Sequence, residues 1–137
     1  MKRFAYISSF IIIIGCVSVF AAGHFWRGTT INANQAKQRW GQTSFDPQKF
    51  KSGDAKVRAS MASSIVSNQN LFRGKSITEI RELLGPTDGF YFKDIFPTYL
   101  IQIGQTHDEE TWQLVFLLNS ERTIDEVIIH KNCCDSN

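Results

Sequence analysis

Residues 74–86 read GKSITEIRELLGP and carry the signals for both ends of a helix. Ser76 is followed three residues later by Glu79, which is the capping-box pattern of a helix start. Gly85 accommodates the left-handed residue that closes many helices, and Pro86 prevents continuation. The apolar side chains fall on one stripe at helical spacing, and they are Ile77, Ile80, Leu83 and Leu84. The stretch therefore predicts a short helix that needs a second surface to cover its apolar side.

A second helix is predicted immediately upstream, from Asp54 to about residue 68 or 70. Asp54 can cap its first turn, and apolar residues recur there every three or four positions. The side chains expected to face the core are Val57, Met61, Ala62, Ile65 and Val66.

The apolar period changes from helical to alternating after Pro86. Strands are predicted over residues 90–95, 98–103, 112–118 and 124–131, with connections short enough for antiparallel neighbours. The predicted fold class is therefore α+β, with two N-terminal helices packed on one face of a three- to four-stranded antiparallel β-meander. The face expected under the helices carries Tyr99, Ile101, Ile103, Trp112, Leu114, Phe116, Leu118, Val127 and Ile129.

The opposite face of the predicted sheet is half apolar, whereas an antiparallel sheet open to water normally turns polar there. Two explanations remain open at this point. Aromatic residues of the preceding polar segment can cover the face, or a protein partner binds it. The candidate partner-binding residues are Leu100, Val115, Leu117, Ile128 and His130.

The stretch 74–86 resembles the helix-to-strand junction of the SmpA/OmlA (BamE) envelope lipoproteins. The resemblance continues in the pattern from Phe45-Asp46-Pro47 to Asp54, and in Trp112 to Asn119. It implies the fold of the β-lactamase inhibitor protein, whose sheet is its binding surface, and a non-catalytic role in outer-membrane protein assembly and envelope integrity. Thr87 replaces the usual proline of these proteins, so the resemblance points to the wider superfamily.

Residues 4–23 contain no charged side chain and follow Lys2 and Arg3. Twenty residues of helix span about 30 Å, the thickness of a bilayer core. Three alternatives remain: an uncleaved anchor, a lipoprotein acylated at Cys16, or cleavage after Ala21. Each one exports the rest of the chain, so we expect a protein of the cell envelope that is anchored in the membrane with its domain outside the cytoplasm.

The expected domain organisation follows from these boundaries. Residues 1–23 form the signal or anchor segment, 24–53 a polar tether, 54–132 the folded domain and 133–137 a tail. Aromatic residues in the tether are expected to dock on the domain, and they are Trp40, Phe45 and Phe50. Residues 24–27, His-Phe-Trp-Arg, are typical of a membrane-interface belt.

Composition disfavours several classes of function. The chain has 15 basic and 13 acidic residues, and Lys2 and Arg3 account for the excess, so the domain is nearly neutral and no nucleic-acid partner is expected. Residues 107–110, His-Asp-Glu-Glu, are consecutive and cannot all reach one metal ion, and Cys133 and Cys134 lack redox spacing. We therefore predict no catalytic, cofactor or metal site and no small-molecule substrate. The predicted partner is an unidentified protein of the envelope. The alternative is an enzyme that this protein inhibits through its sheet.

Overall fold

The helices precede the three long strands in the computed structural model, which describes residues 28–92, 94–106 and 108–132. The strands form one antiparallel sheet in the order Thr30–Ile31 (β1), Ile124–Asn132 (β4), Thr111–Leu118 (β3) and Thr98–Gln102 (β2), and the helices pack on one of its faces. The predicted α+β class is confirmed. The elements are β1 (Thr30–Ile31), α1 (Ala33–Trp40), α2 (Pro47–Ser52), α3 (Ala55–Ser67), a 3₁₀ turn (Gln69–Leu71), α4 (Ile77–Leu84), β2 (Thr98–Gln102), β3 (Thr111–Leu118) and β4 (Ile124–Asn132).

Helix α4 has the predicted ends. The Ser76 hydroxyl accepts from the Glu79 amide at 3.2 Å, and the Glu79 carboxylate accepts from the Ser76 amide at 2.7 Å, so the capping box is complete. Gly85, at φ +88°, ends the helix in a conformation that suits glycine. Ile80 and Leu84 are buried in the core, as the stripe predicted.

Helix α3 also follows its prediction closely. The Asp54 carboxylate accepts from the amide of Val57 at 2.9 Å and caps the first turn. Met61 and Ile65 are buried against the sheet. Val57 is exposed, so its predicted place in the core is wrong; the first buried residue of the helix is Ala59.

The expected polar tether, residues 24–53, is wrong from Thr30 onward, because this part folds into the domain. Asn32 and Gln35 form a capping box at α1, and Asp46 caps α2 ahead of a proline at the first helical position. Each of these helices buries a single residue fully, which is too little apolar periodicity to reveal a helix in the sequence.

The aromatic residues of this segment dock on the domain, as expected. Phe50 packs edge-on against Tyr99 with ring centroids 5.4 Å apart, and Phe45 packs against Phe72 at 5.3 Å. Trp40 lies against Trp112 at 6.0 Å. All of these contacts belong to the core between the helices and the sheet.

The predicted strand over residues 90–95 is wrong for the positions that the structure describes there. The φ of Phe92 is +47°, which interrupts an extended chain. The fourth strand is instead β1, which pairs with the C-terminal part of β4 through Thr30 and His130.

Alternation sorts the side chains of the three long strands as predicted, apart from the ends. The pairing of β2 and β3 shifts register between Leu100 and Gln102, and Ile103 beyond this irregularity is 51% exposed rather than buried. The predicted side chains that are buried beneath the helices are Tyr99, Ile101, Trp112, Leu114, Phe116, Val127 and Ile129.

Strand β2 lies at an edge of the sheet, and the loop before it occupies part of that edge. The Gly89 amide donates to the Thr98 carbonyl at 3.0 Å, and the Leu100 amide donates to the Asp88 carboxylate at 2.9 Å. Arg58 holds the same carboxylate in an ion pair at 2.6 Å. The loop therefore replaces a neighbouring strand along half of β2.

Candidate interaction surfaces

The sheet face predicted to bind a partner is largely covered by the chain itself. Val115 is 0% exposed, and Ile128 and His130 are also buried, whereas Leu100 and Leu117 are half-buried. Of the two explanations left open by the sequence, cover by the chain itself therefore holds at Val115, Ile128 and His130, which are not accessible to a partner.

The cover consists of residues 89–92 and 94–97, which precede β2 and pack on this face. Tyr91 packs on Val115 and Ile128 to form a small second core, and Phe96 lies against it. The aromatic residues of the predicted tether do not supply this cover, because they belong to the core on the other face. In the sequence, this segment is marked only by its aromatic residues between Gly89 and Pro97. The same composition is typical of a strand, so the sequence alone does not distinguish a covering segment from a strand.

A buried amide anchors the cover to the sheet. Gln113 donates to the Phe90 carbonyl at 2.7 Å and accepts from the Phe90 amide at 3.4 Å, as a neighbouring backbone would. His130 lies 3.4 Å from the same side chain and packs edge-on against Tyr91 at 4.8 Å. Burial lowers the pKa of His130 and favours its neutral form. The Gln113 side chain therefore holds the backbone of Phe90 on the sheet, and the imidazole of His130 is enclosed beneath the cover.

The outer side of the cover exposes apolar side chains. Phe90 is 56% exposed, Phe92 is 60% exposed, and Ile95 is also exposed. We call these three residues the outer patch. Phe92 has a positive φ, which is rare for a bulky residue, and its ring packs on Tyr91 at 4.6 Å. The cover thus buries Tyr91 against the sheet and exposes the outer patch to solvent.

A second surface is an open groove of about 600 Å³ between the end of α1, the start of α3 and the end of β2. Its apolar lining includes Trp40, Ile101 and Ile103, and its rim carries Arg39 and Lys56. Pockets of this volume, with a mostly apolar lining and a few polar groups, are typical of small-molecule sites.

Glu110 fixes the side chains at the rim of this groove. Its carboxylate accepts from Arg39 at 2.6 Å, from the indole of Trp112 at 2.9 Å and from Lys131 at 2.7 Å. Hydrogen bonds from Lys131, then Trp112 and Arg39, lower the pKa of Glu110 to about 2. The Arg39 guanidinium also lies 5.4 Å from the centre of the Trp40 ring and 5.0 Å from that of Trp112. The Arg39 guanidinium at the rim of the groove is therefore held in place against the two indole rings.

Two further observations concern the described part of the chain only. It contains no cluster of three histidine, cysteine, aspartate or glutamate side chains that would hold a metal ion. None of its helices has the length and apolar character needed to cross a bilayer, and residues 4–23, Cys16 and the C-terminal cysteines lie outside it. Acylation of Cys16 stays a prediction.

Comparison of the chain with protein-family models, with curated proteins and with solved structures finds no match. The resemblance to the SmpA/OmlA lipoproteins therefore stays a prediction from the residues that carry it.

Proposed function

We propose that this chain is a non-catalytic, membrane-tethered binding module of the cell envelope, with its domain outside the cytoplasm. The apolar residues 4–23 provide the anchor, and Lys2 and Arg3 before them favour a cytoplasmic N-terminus. The partner is a protein that binds the groove. This function agrees with what the resemblance to the SmpA/OmlA lipoproteins implies.

The observation that carries the proposal is the composition of the groove. Arginine and tryptophan are the residue types that dominate binding energy at protein interfaces, and here Arg39 is held rigid against Trp40 by Glu110. A side chain that is already fixed loses little conformational entropy when a partner binds. Ile103, which is half exposed beside them, supplies apolar area to bury.

The polar clusters described above hold parts of the structure in place and are not arranged as catalytic groups. Gln113 and His130 hold the cover on the sheet, and Glu110 holds the groove rim. These contacts favour a role in binding.

The test is recovery of the partner from membranes after mild cross-linking of the tagged full-length chain. Replacing Ile103→Asp should reduce recovery at least tenfold, because a carboxylate enters the apolar part of the groove. Leu71→Asp is the matched control, since Leu71 is 55% exposed but lies on the 3₁₀ turn, away from the groove. Equal recovery with both variants would refute the groove as the binding site.

The identity of the recovered protein separates the two hypotheses for the partner. An assembly complex of the outer membrane supports the envelope role, and an enzyme supports the inhibitor-type alternative. Intact mass of the membrane-extracted chain tests the anchor. It distinguishes full length, a lipidated start at Cys16 and a start near residue 22.

A further inference from the structure

We infer that the outer patch rests on the lipid surface next to the anchor, so that one end of the domain faces the bilayer. The inference rests on the proposed anchoring through residues 4–23. It assigns a role to Phe90, Phe92 and Ile95, which the groove does not use.

The first step is the position at which the chain joins the sheet. The Lys131 amide donates to the Thr29 carbonyl at 2.8 Å, and Thr30 pairs with His130 near the end of β4. Gly28, at φ +66°, passes so close to His130 that an added Cβ would lie 2.5 Å from its Nε2 atom. The described chain therefore begins at a fixed point beside the C-terminal end of β4.

The second step is the reach of the intervening chain. Four residues, 24–27, lie between position 23 and Gly28, and the five steps of a fully extended chain span at most about 18 Å. Strand β4, nine residues long, extends over about 30 Å. The short link therefore keeps the His130 end of the sheet near the membrane, whereas the Ile124 end can lie a further strand length away.

The third step is the position of the outer patch at this same end. Tyr91 packs on His130, and Phe92 packs on Tyr91, so two ring contacts connect the chain start to the patch. Phe90 is held by Gln113, which pairs with His130 across the sheet. The rings of Phe90 and Phe92 therefore lie toward the His130 end of the sheet, the end that Gly28 joins.

The chemistry of the patch fits the boundary between headgroups and acyl chains. Aromatic side chains favour this boundary, and an exposed apolar cluster is stabilised by leaving water. Electrostatic attraction to lipid headgroups contributes little, because the domain is nearly neutral and the exposed Asp94 lies next to Ile95 of the patch. We therefore expect contact with lipid at any salt concentration, in zwitterionic as well as anionic membranes.

The experiment places the photo-cross-linker p-benzoylphenylalanine at position 92 of the full-length chain in cell membranes. Position 90 provides a second site, in case one replacement disturbs folding, and position 71 is the control. Leu71 is equally exposed but follows α3 at the Ile124 end, where Arg73 bonds to the Asp125 carbonyl. We expect lipid adducts at positions 90 and 92 at least tenfold above those at 71.

The outcomes separate this inference from the proposed function. Protein adducts at 90 and 92, equal lipid adducts at all three positions, or no adducts in a chain that still fractionates with membranes would refute the lipid contact and leave the anchor intact. A chain recovered in the soluble fraction would refute both. Lipid adducts together with loss of the partner in Ile103→Asp would support both.

Discussion

The substitution Val115→Asp measures whether the second face of the sheet is core or surface. Val115 is fully buried against Tyr91 and Ile128. Removing a buried valine side chain costs about 1.5–3 kcal/mol. A carboxyl group without a hydrogen-bond partner at that position adds about 1–3 kcal/mol. The expected loss is therefore roughly 3–6 kcal/mol, a large part of the 5–15 kcal/mol that stabilises a typical domain.

Leu117→Asp is the matched control on the same strand and face. Leu117 is half-buried at the margin of the cluster, so its replacement should cost only about 1 kcal/mol. Urea unfolding of residues 28–132, followed by far-ultraviolet circular dichroism, gives both free energies of unfolding. For an unchanged slope, the Val115→Asp midpoint should fall by about 1–3 M.

A loss below about 1 kcal/mol for Val115→Asp would refute the reasoning. The carboxylate would then reach water, the cover over the sheet would be open in solution, and the partner-binding face first predicted from the sequence would be accessible after all.

Two further predictions concern the helix and the groove. Leu84→Ala should cost about 2–5 kcal/mol in the same unfolding assay, and Leu83→Ala about half as much, because Leu84 is fully buried and Leu83 only partly; equal losses would mean that the facing of α4 is wrong. The pKa of Glu110 is lowered in the folded state from its ordinary value of 4.5 to about 2, so its ion pairs contribute fully above pH 4.5 and are lost as the pH falls toward 2. Tryptophan fluorescence of the folded protein should change as the pH falls through about 2, where Glu110 takes up its proton, because Trp112 binds the carboxylate, and Glu110→Gln should abolish the change.

The features that could be predicted from the sequence are those that depend only on residues close together in the chain. The capping box of Ser76 and Glu79 spans three positions, and the alternation along β3 and β4 needs no knowledge of the partner strand. Both therefore appear in the structure as expected.

The features that escaped prediction depend on distant contacts. Arg39 and Glu110 meet across 71 positions of the chain, and nothing local marks them as a pair. Residues 90–95 have strand-like composition, but the Gln113 side chain binds Phe90 in place of a neighbouring strand. The short helices α1 and α2 bury one residue each, so tertiary packing rather than apolar period determines them.

The Asp88 loop at the edge of β2 has a consequence for a protein confined to a membrane. Copies anchored in one plane collide far more often than copies free in solution, and open strand edges would join them into extended sheets. Here the Asp88 carboxylate and the Gly89 amide satisfy two outward groups of β2, the Leu100 amide and the Thr98 carbonyl, and β1 at the other margin is only two residues long. Under the proposed anchoring in a membrane, these features therefore oppose edge-to-edge joining of neighbouring copies.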